Sequence, residues 1–167
     1  MQITLLVTLV LHILSGVFWT GSTFALARTG AMTADQLFRP QMGAAVVAVI
    51  TGGVLWHLLH PSGFGTMEQI IALGALAAVL AAGTQGALCG PALRRLARAG
   101  GKDARSQTQM ALGQRIAAGL LALTVICMAA ARYAGSMLIL VAIILAVLMP
   151  RTAHESDRQQ ISLRSLS

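Results

Sequence analysis

Charge is scarce in this chain, and that scarcity excludes several classes of protein. Only 10% of the 167 residues are charged, and five of them are acidic, whereas a soluble globular domain carries about 25% charged residues. The two cysteines, Cys89 and Cys127, do not form a Cys-x-x-Cys pair, which argues against a disulfide or a thiolate metal site. The composition therefore excludes a soluble enzyme with a buried core.

Sequence motifs of the common enzyme classes are also missing. The chain has no phosphate-binding glycine loop, no zinc-protease motif and no nucleophile elbow. Its predicted spans contain no inward-facing carboxylate, and no inverted repeat is detectable, so a transporter has little support. Any function must therefore come from the few polar residues within apolar segments.

Long apolar runs are the dominant feature that is present. Hydrophobic residues make up 56% of the chain. The run from Ile3 to Ala27 has no charge, and as a helix it would be roughly 37 Å long, enough to cross the ~30 Å hydrocarbon core of a bilayer. Two more runs extend from Met42 to His60 and from Glu68 to Leu88. The pattern predicts an all-α, polytopic membrane helical bundle.

The number of spans depends on the apolar stretch from Ile116 to Met149. As one helix it would be roughly 51 Å long, so we divide it into a fourth span ending at Ala131 and a fifth from Tyr133 to Met149. Five spans, with the N-terminus outside, leave eleven of the twelve basic residues on the cytoplasmic side, in agreement with the positive-inside rule. Four spans are the alternative, and they would move three arginines of the tail outside.

This topology assigns residues 1–150 to the transmembrane bundle and residues 151–167 to a polar cytoplasmic tail, in the cell inner membrane. The first run lacks a basic N-terminal region and is too long for a signal peptide, so we expect it to remain as a span. We expect the basic connector from Arg94 to Arg115 to be a topology signal in contact with anionic lipid. The clustering of basic residues in such short connectors argues against nucleic acid as a partner.

His12 is the first candidate functional residue. At helical spacing it shares one face of the first span with Ser15 and Trp19. Gly16 and Gly21 remove bulk beside that face, which predicts the close approach of a neighbouring helix. A titratable ring inside a membrane span is costly, so it is a functional hypothesis by default.

The predicted topology places further polar residues on the same outer side as His12. They are His57, His60 and Arg132. Two histidines that face each other across a helical bundle are the usual ligands of a b-type haem, and an arginine can pair with a propionate. Copper also binds imidazole tightly. We therefore predict His12, His57, His60 and Arg132 as cofactor-binding residues, and the three histidines as metal ligands.

Other interpretations of these residues remain open. His12 could be the only protein ligand of a five-coordinate haem. It could instead donate a hydrogen bond to a neighbouring backbone carbonyl, with His57 and His60 lying among lipid headgroups. Elsewhere, Gly86 and Gly90 form a Gly-x-x-x-Gly pattern, which is typical of close helix packing.

The first span also resembles a known family. His12-Ile13, then Trp19, Gly21 and Arg28 look like the first helix of the HemJ-type protoporphyrinogen oxidases, and are similar to that of the CopD-type copper-resistance membrane proteins. The resemblance covers about twenty residues. It implies a membrane bundle in which His12 binds haem b, acting in porphyrin oxidation or metal handling. The HemJ-type enzymes carry a membrane-embedded lysine, whereas the single lysine here, Lys102, lies in the polar connector.

Two functions from different classes follow from the sequence. The first is an integral membrane protein that binds haem b, or alternatively copper, through His12 with His57 or His60, for electron transfer or cofactor handling. The second is a cofactor-free structural or accessory subunit of a larger membrane complex, with glycine- and alanine-rich faces that dock other helices or a second copy of the chain. Whether the chain is an enzyme is left open by the sequence.

Overall fold

A computed structural model describes residues 2–29, 34–59 and 65–131. In these residues the chain is helical, with helices α1 (Gln2–Thr29), α2 (Ala34–Leu59), α3 (Thr66–Thr84), α4 (Gly90–Arg98) and α5 (Ala104–Ala130). A π-helical turn, Gln85–Cys89, joins α3 to α4 without a break. The all-α fold is confirmed, and four continuous segments of this part are long and apolar enough to cross a membrane.

The four segments correspond to the first four predicted spans. Their bounds are Gln2–Arg28, Gln36–Leu59, Thr66–Arg98 and Ala104–Ala130. Four is also the alternative span count from the sequence. The predicted fifth span from Tyr133 to Met149 and the tail of residues 151–167 lie outside the described residues.

The third span continues beyond its predicted end at Leu88, and this boundary was wrong. Pro91 has no N–H to donate to the carbonyl of Ala87, and its ring would clash with that carbonyl in a regular helix. The π-helical turn Gln85–Cys89 comes immediately before the proline, and a widened turn accommodates such a defect without ending the helix. The helix therefore runs on to Arg98.

Much of the predicted polar connector between the third and fourth spans is also helical. Only residues 99–103 separate α4 from α5. Gly100 and Gly101 have positive φ angles of 57° and 81°, and the Gly101 N–H donates to the Leu96 carbonyl at 2.8 Å, which is the glycine-dependent end of a helix. Asp103 caps α5 by accepting from the Arg105 N–H. The fourth span thus begins at Ala104 instead of Ile116.

Helix α5 packs closely against α3 and against the π-helical turn that follows α3, through one glycine at each contact. A Cβ at Gly113 would lie 2.7 Å from Cys89 Sγ, and a Cβ at Gly74 would lie 3.0 Å from Cys127 Cβ. Both cysteines are buried free thiols at this interface. Gly86 and Gly90 make no close contact within the described residues, because a Cβ at either position meets nothing within 4 Å, so their packing role stays a prediction.

The contact of α1 with α2 depends on another glycine. A Cβ at Gly16 or Gly21 would meet nothing within 4 Å, whereas a Cβ at Gly52 would lie 3.1 Å from His12 Cε1. The prediction that Gly16 and Gly21 admit the neighbouring helix was therefore wrong. Gly52 on α2 provides the space, and the imidazole of α1 occupies it.

Candidate functional site

His12 lies between α1 and α2, roughly midway along the apolar part of the bundle. Its Nδ1 is 2.9 Å from the Ala48 carbonyl oxygen and 3.2 Å from Thr51 Oγ1. A carbonyl oxygen can only accept, so in the neutral ring Nδ1 carries the proton and Nε2 carries the lone pair. This hydrogen bond is the one that the alternative, packing interpretation of His12 predicted.

His57 is not brought together with His12. It follows Thr51 by six residues on α2, which is about 9 Å along the axis and about 240° around it. The side chain of His57 is exposed, whereas Ala48 and Thr51 are buried on the side that meets His12. His12 and His57 therefore lie at different depths and face different directions.

His60 and Arg132 lie outside the described residues, so their predicted roles stay predictions. Within the described ranges, no group of three or more His, Cys, Asp or Glu side chains is close enough to hold a metal ion. His12 Nε2 is accordingly the donor that this part of the chain offers for a haem with one histidine ligand. That donor set fits the five-coordinate alternative and does not fit a histidine pair from His12 and His57.

A second polar site is completely buried and joins all four spans. The Trp19 indole donates to Gln85 Oε1 at 2.8 Å, and Gln85 Nε2 donates to Thr23 Oγ1 at 3.0 Å and to Gln114 Oε1 at 3.1 Å. Gln41 Nε2 donates to Thr23 Oγ1 at 2.7 Å. None of these five side chains is more than 2% exposed. We call this set the glutamine network.

The direction of every bond in the glutamine network follows from its one donor-only member. An indole N–H cannot accept, so Gln85 must present Oε1 to Trp19 and its amide nitrogen to Thr23 and Gln114. Gln114 must then present Oε1 to Gln85, which leaves its nitrogen to donate to Gln41 Oε1 at 3.4 Å. The Thr23 hydroxyl donates to the Trp19 carbonyl at 2.7 Å and accepts from the two amides.

Local sequence explains how these side chains reach each other. Trp19 belongs to a buried cluster with Ala45, Ala48, Ala81, Ala117 and Leu121, in which the small alanines leave room for one indole. Gln85 begins the π-helical turn, which changes the direction of its side chain relative to a regular helix. Trp19 and His12 both face inward, so the predicted shared face of α1 is confirmed.

The chemistry available to the glutamine network is limited to hydrogen bonding. None of its five side chains titrates near neutral pH, so it offers no acid, base or redox group. Amides and hydroxyls that pair across helices are a common way of holding membrane helices together. The arrangement can fix the register of four spans, and His12 fixes α1 against α2.

Sequence reasoning missed the glutamines because it considered only titratable and metal-binding side chains. A usable signal was present: Gln85 is the only amide in the predicted third span beyond its first turn, and Gln41 and Gln114 each border an apolar run. An uncharged amide in such a position must find a partner in the protein interior. Searches against protein families, characterised proteins and solved structures found no match to this chain.

Proposed function

We propose that this chain is a cofactor-free structural or accessory subunit of a larger membrane complex, in the cell inner membrane. The glutamine network carries the proposal, because its buried polar side chains come from all four described spans and hydrogen-bond one another. Such pairing makes a stable scaffold in lipid. His12 contributes in the same way through the Ala48 carbonyl.

The outward surface supports a docking role for the scaffold. Gly83 and Gly86 are exposed on the third span, and a Cβ at either would meet nothing within 4 Å. Small residues on a lipid-facing surface allow another helix to approach closely. The partner can be another subunit or a second copy of the chain.

We further propose that the N-terminus is outside and that, with the predicted fifth span from Tyr133 to Met149 crossing the membrane once more, the C-terminus is cytoplasmic. Eight basic residues from position 28 to position 115 fall at one end of the bundle, since α1 and α4 end there and α2 and α5 begin there. The positive-inside rule places this end in the cytoplasm. Accessibility of a cysteine introduced at Gln2 to a membrane-impermeant thiol reagent in intact cells tests the orientation.

The test of the scaffold role separates the two nitrogens of His12. The Asn side chain can place an N–H near the position of Nδ1 but has nothing at Nε2, so we expect His12→Asn to retain the bond to Ala48 and His12→Ala to lose it. If His12 serves packing, His12→Asn keeps near-native stability and co-purifies with the same large membrane partners. Loss of assembly in His12→Asn at unchanged stability would contradict the proposal.

The second candidate function is haem b binding, with copper as the alternative metal, in electron transfer or cofactor handling. It is favoured by the state of His12, because a ring that donates Nδ1–H to a backbone carbonyl presents Nε2 as metal-ligating histidines do. Haem would supply a one-electron couple. The chain's part would be to orient that ring through Ala48 and Thr51.

An absorption spectrum of the membrane-extracted protein tests this second candidate. Haem binding predicts a Soret band that is lost in both His12→Ala and His12→Asn and retained in His57→Ala. Copper binding predicts stoichiometric metal by elemental analysis with the same dependence on His12. Colourless, copper-free wild-type protein would remove this candidate and leave the scaffold role standing.

A further inference from the structure

The basic end of the bundle has a large excess of positive charge. Eight basic residues lie there against two acidic ones, Asp35 and Asp103. The basic residues are Arg28, Arg39, Arg94, Arg95, Arg98, Lys102, Arg105 and Arg115, and all of their side chains are exposed. An excess of positive charge at this density attracts anionic groups.

Within the described residues, few side-chain contacts neutralise this positive charge. Among the described residues, the polar side-chain contact made by a basic group at this end is that of Arg95 with Gln109 Oε1 at 3.4 Å. The carboxylate of Asp103 is occupied by the Arg105 N–H and the Ser106 hydroxyl. These hydrogen bonds, from the Ser106 hydroxyl first, and to a smaller extent the nearby Arg95 charge lower the pKa of Asp103.

The glutamine network is a reference level from which the depth of these charges in the membrane can be measured. From Gln85 to Glu68, at its opposite end, the third span contains no charged residue in between, a distance of about 25 Å along the helix, which is close to the ~30 Å hydrocarbon thickness. The network therefore lies at the edge of the hydrocarbon on the basic side. Beyond it begins the headgroup layer.

Three arginines from three helices fall at the depth of the headgroups. Arg39 and Arg28 lie two and five residues from Gln41 and Thr23, towards the basic end, and Arg115 lies one residue from Gln114, towards the hydrocarbon. All three backbones are therefore within about 8 Å of the network along the helix axes, and a long arginine side chain extends from such a position to the headgroups. The headgroup layer is about 5–8 Å thick. We call Arg28, Arg39 and Arg115 the boundary arginines.

Other basic residues lie farther from the hydrocarbon on the basic side, at the tip of the α4–α5 hairpin. Arg98 is thirteen residues beyond Gln85, and Lys102 is twelve before Gln114, so they lie about 18–20 Å from the network. The tip is held by the bond from Gly101 N–H to the Leu96 carbonyl and by Gln107 Nε2 on the Gly101 carbonyl at 2.8 Å. Arg98 and Lys102 are thus beyond the reach of lipid phosphates.

We propose that the boundary arginines bind the phosphate groups of anionic phospholipids. The guanidinium forms paired, charge-assisted hydrogen bonds with phosphate oxygens, and the three arginines are exposed at the depth where those oxygens lie. The two residues at the tip, Arg98 and Lys102, do not take part. This selectivity goes beyond the scaffold role and does not depend on it.

The experiment compares two double variants that remove the same charge at different depths. Arg39→Gln/Arg115→Gln acts at the boundary, and Arg98→Gln/Lys102→Gln acts at the tip. Purified full-length protein in detergent is mixed with equimolar phosphatidylglycerol and phosphatidylcholine of the same acyl chains, and the retained lipids are counted by native mass spectrometry. Circular dichroism confirms that each variant is folded.

The wild type is expected to retain more phosphatidylglycerol than phosphatidylcholine. In the boundary variant, the ratio of the two retained lipids should fall about fivefold for each charge removed, which corresponds to ~1 kcal/mol per basic residue near an anionic surface. The tip variant is expected to keep the wild-type preference. An equal loss in the tip variant would overturn the proposal and favour an acidic macromolecule as the partner of the hairpin. Absence of a preference in the wild type, or its removal by millimolar inorganic phosphate, would also overturn it.

Discussion

The two polar sites of the bundle, the glutamine network and His12, offset the free-energy cost of placing polar side chains between helices in different ways. In the glutamine network, donors and acceptors from four spans are paired in hydrogen bonds, and none of its side chains titrates near neutral pH. His12 contacts the neighbouring helix through Nδ1, which lies near the Ala48 carbonyl oxygen and Thr51 Oγ1, and Nε2 takes no part in these contacts. The comparison teaches that the glutamine network uses its polar atoms to join helices, whereas His12 leaves Nε2 out of its contacts with α2, so any chemistry of His12 would have to use that nitrogen.

Removing a central amide is expected to have the largest effect on stability. Gln85→Leu deletes three hydrogen bonds and leaves the Trp19 indole N–H without its acceptor. Interhelical bonds in membranes contribute about 0.6 kcal/mol each and an unsatisfied buried donor costs about 1–3 kcal/mol, so we expect a loss of about 3 kcal/mol. Denaturation of the detergent-solubilised protein measures it.

The control for that variant is Gln36→Leu, which changes an exposed amide on α2. It should leave the free energy of unfolding within about 0.5 kcal/mol of wild type. Equal losses in the two variants would show that the glutamine network has no special role.

Close packing of α5 against the π-helical turn Gln85–Cys89 should show the next largest effect. In Gly113→Ala the new Cβ would lie 2.7 Å from Cys89 Sγ, and overpacking of this kind costs about 1–3 kcal/mol. Gly119→Ala on the same helix meets nothing within 4 Å and should be neutral or stabilising by up to about 1 kcal/mol. Thermal unfolding of the pair measures the difference, and similar melting temperatures would contradict the close contact.

The contribution of His12 to stability should be smaller than that of Gln85. His12→Ala removes the bond to Ala48 and opens space beside Gly52, so we expect a loss of about 1 kcal/mol. His57→Ala, at an exposed position on α2, should have little effect. A loss in His57→Ala as large as that in His12→Ala would show that the two histidines act together after all.

The smallest expected effect is a dependence on acid pH at the cap of α5. Hydrogen bonds from Ser106 and Arg105, with the charge of Arg95, lower the pKa of Asp103 in the folded protein. A carboxylate whose pKa is lower in the folded protein contributes fully to folding stability when the pH is above its pKa in the unfolded chain, near 3.9. This contribution is lost as the pH falls through its pKa in the folded protein. The melting temperature of wild type should therefore drop more below about pH 4 than that of Asp103→Asn, and parallel pH curves would contradict this.

Predictions from the sequence succeeded where composition and periodicity decide the structure. Uncharged runs long enough to cross a bilayer predicted the four described spans, and the spacing of His12 and Trp19 predicted that they share an inward face. Boundaries were less accurate, because a proline normally ends a helix and Pro91 instead follows a widened turn. Glycine spacing was misleading, since Gly16 and Gly21 make no close contact in the described part, whereas Gly52, Gly74 and Gly113 do.

The sequence by itself determined that this protein is a membrane helical bundle with a basic end, because hydrophobic length and charge distribution are local properties of a chain. Which polar residues meet was decided by the tertiary structure, because Gln41, Gln85 and Gln114 are remote in sequence and only helix register brings them to Trp19 and Thr23. The partner of His12 was decided in the same way, by the space that Gly52 leaves on α2.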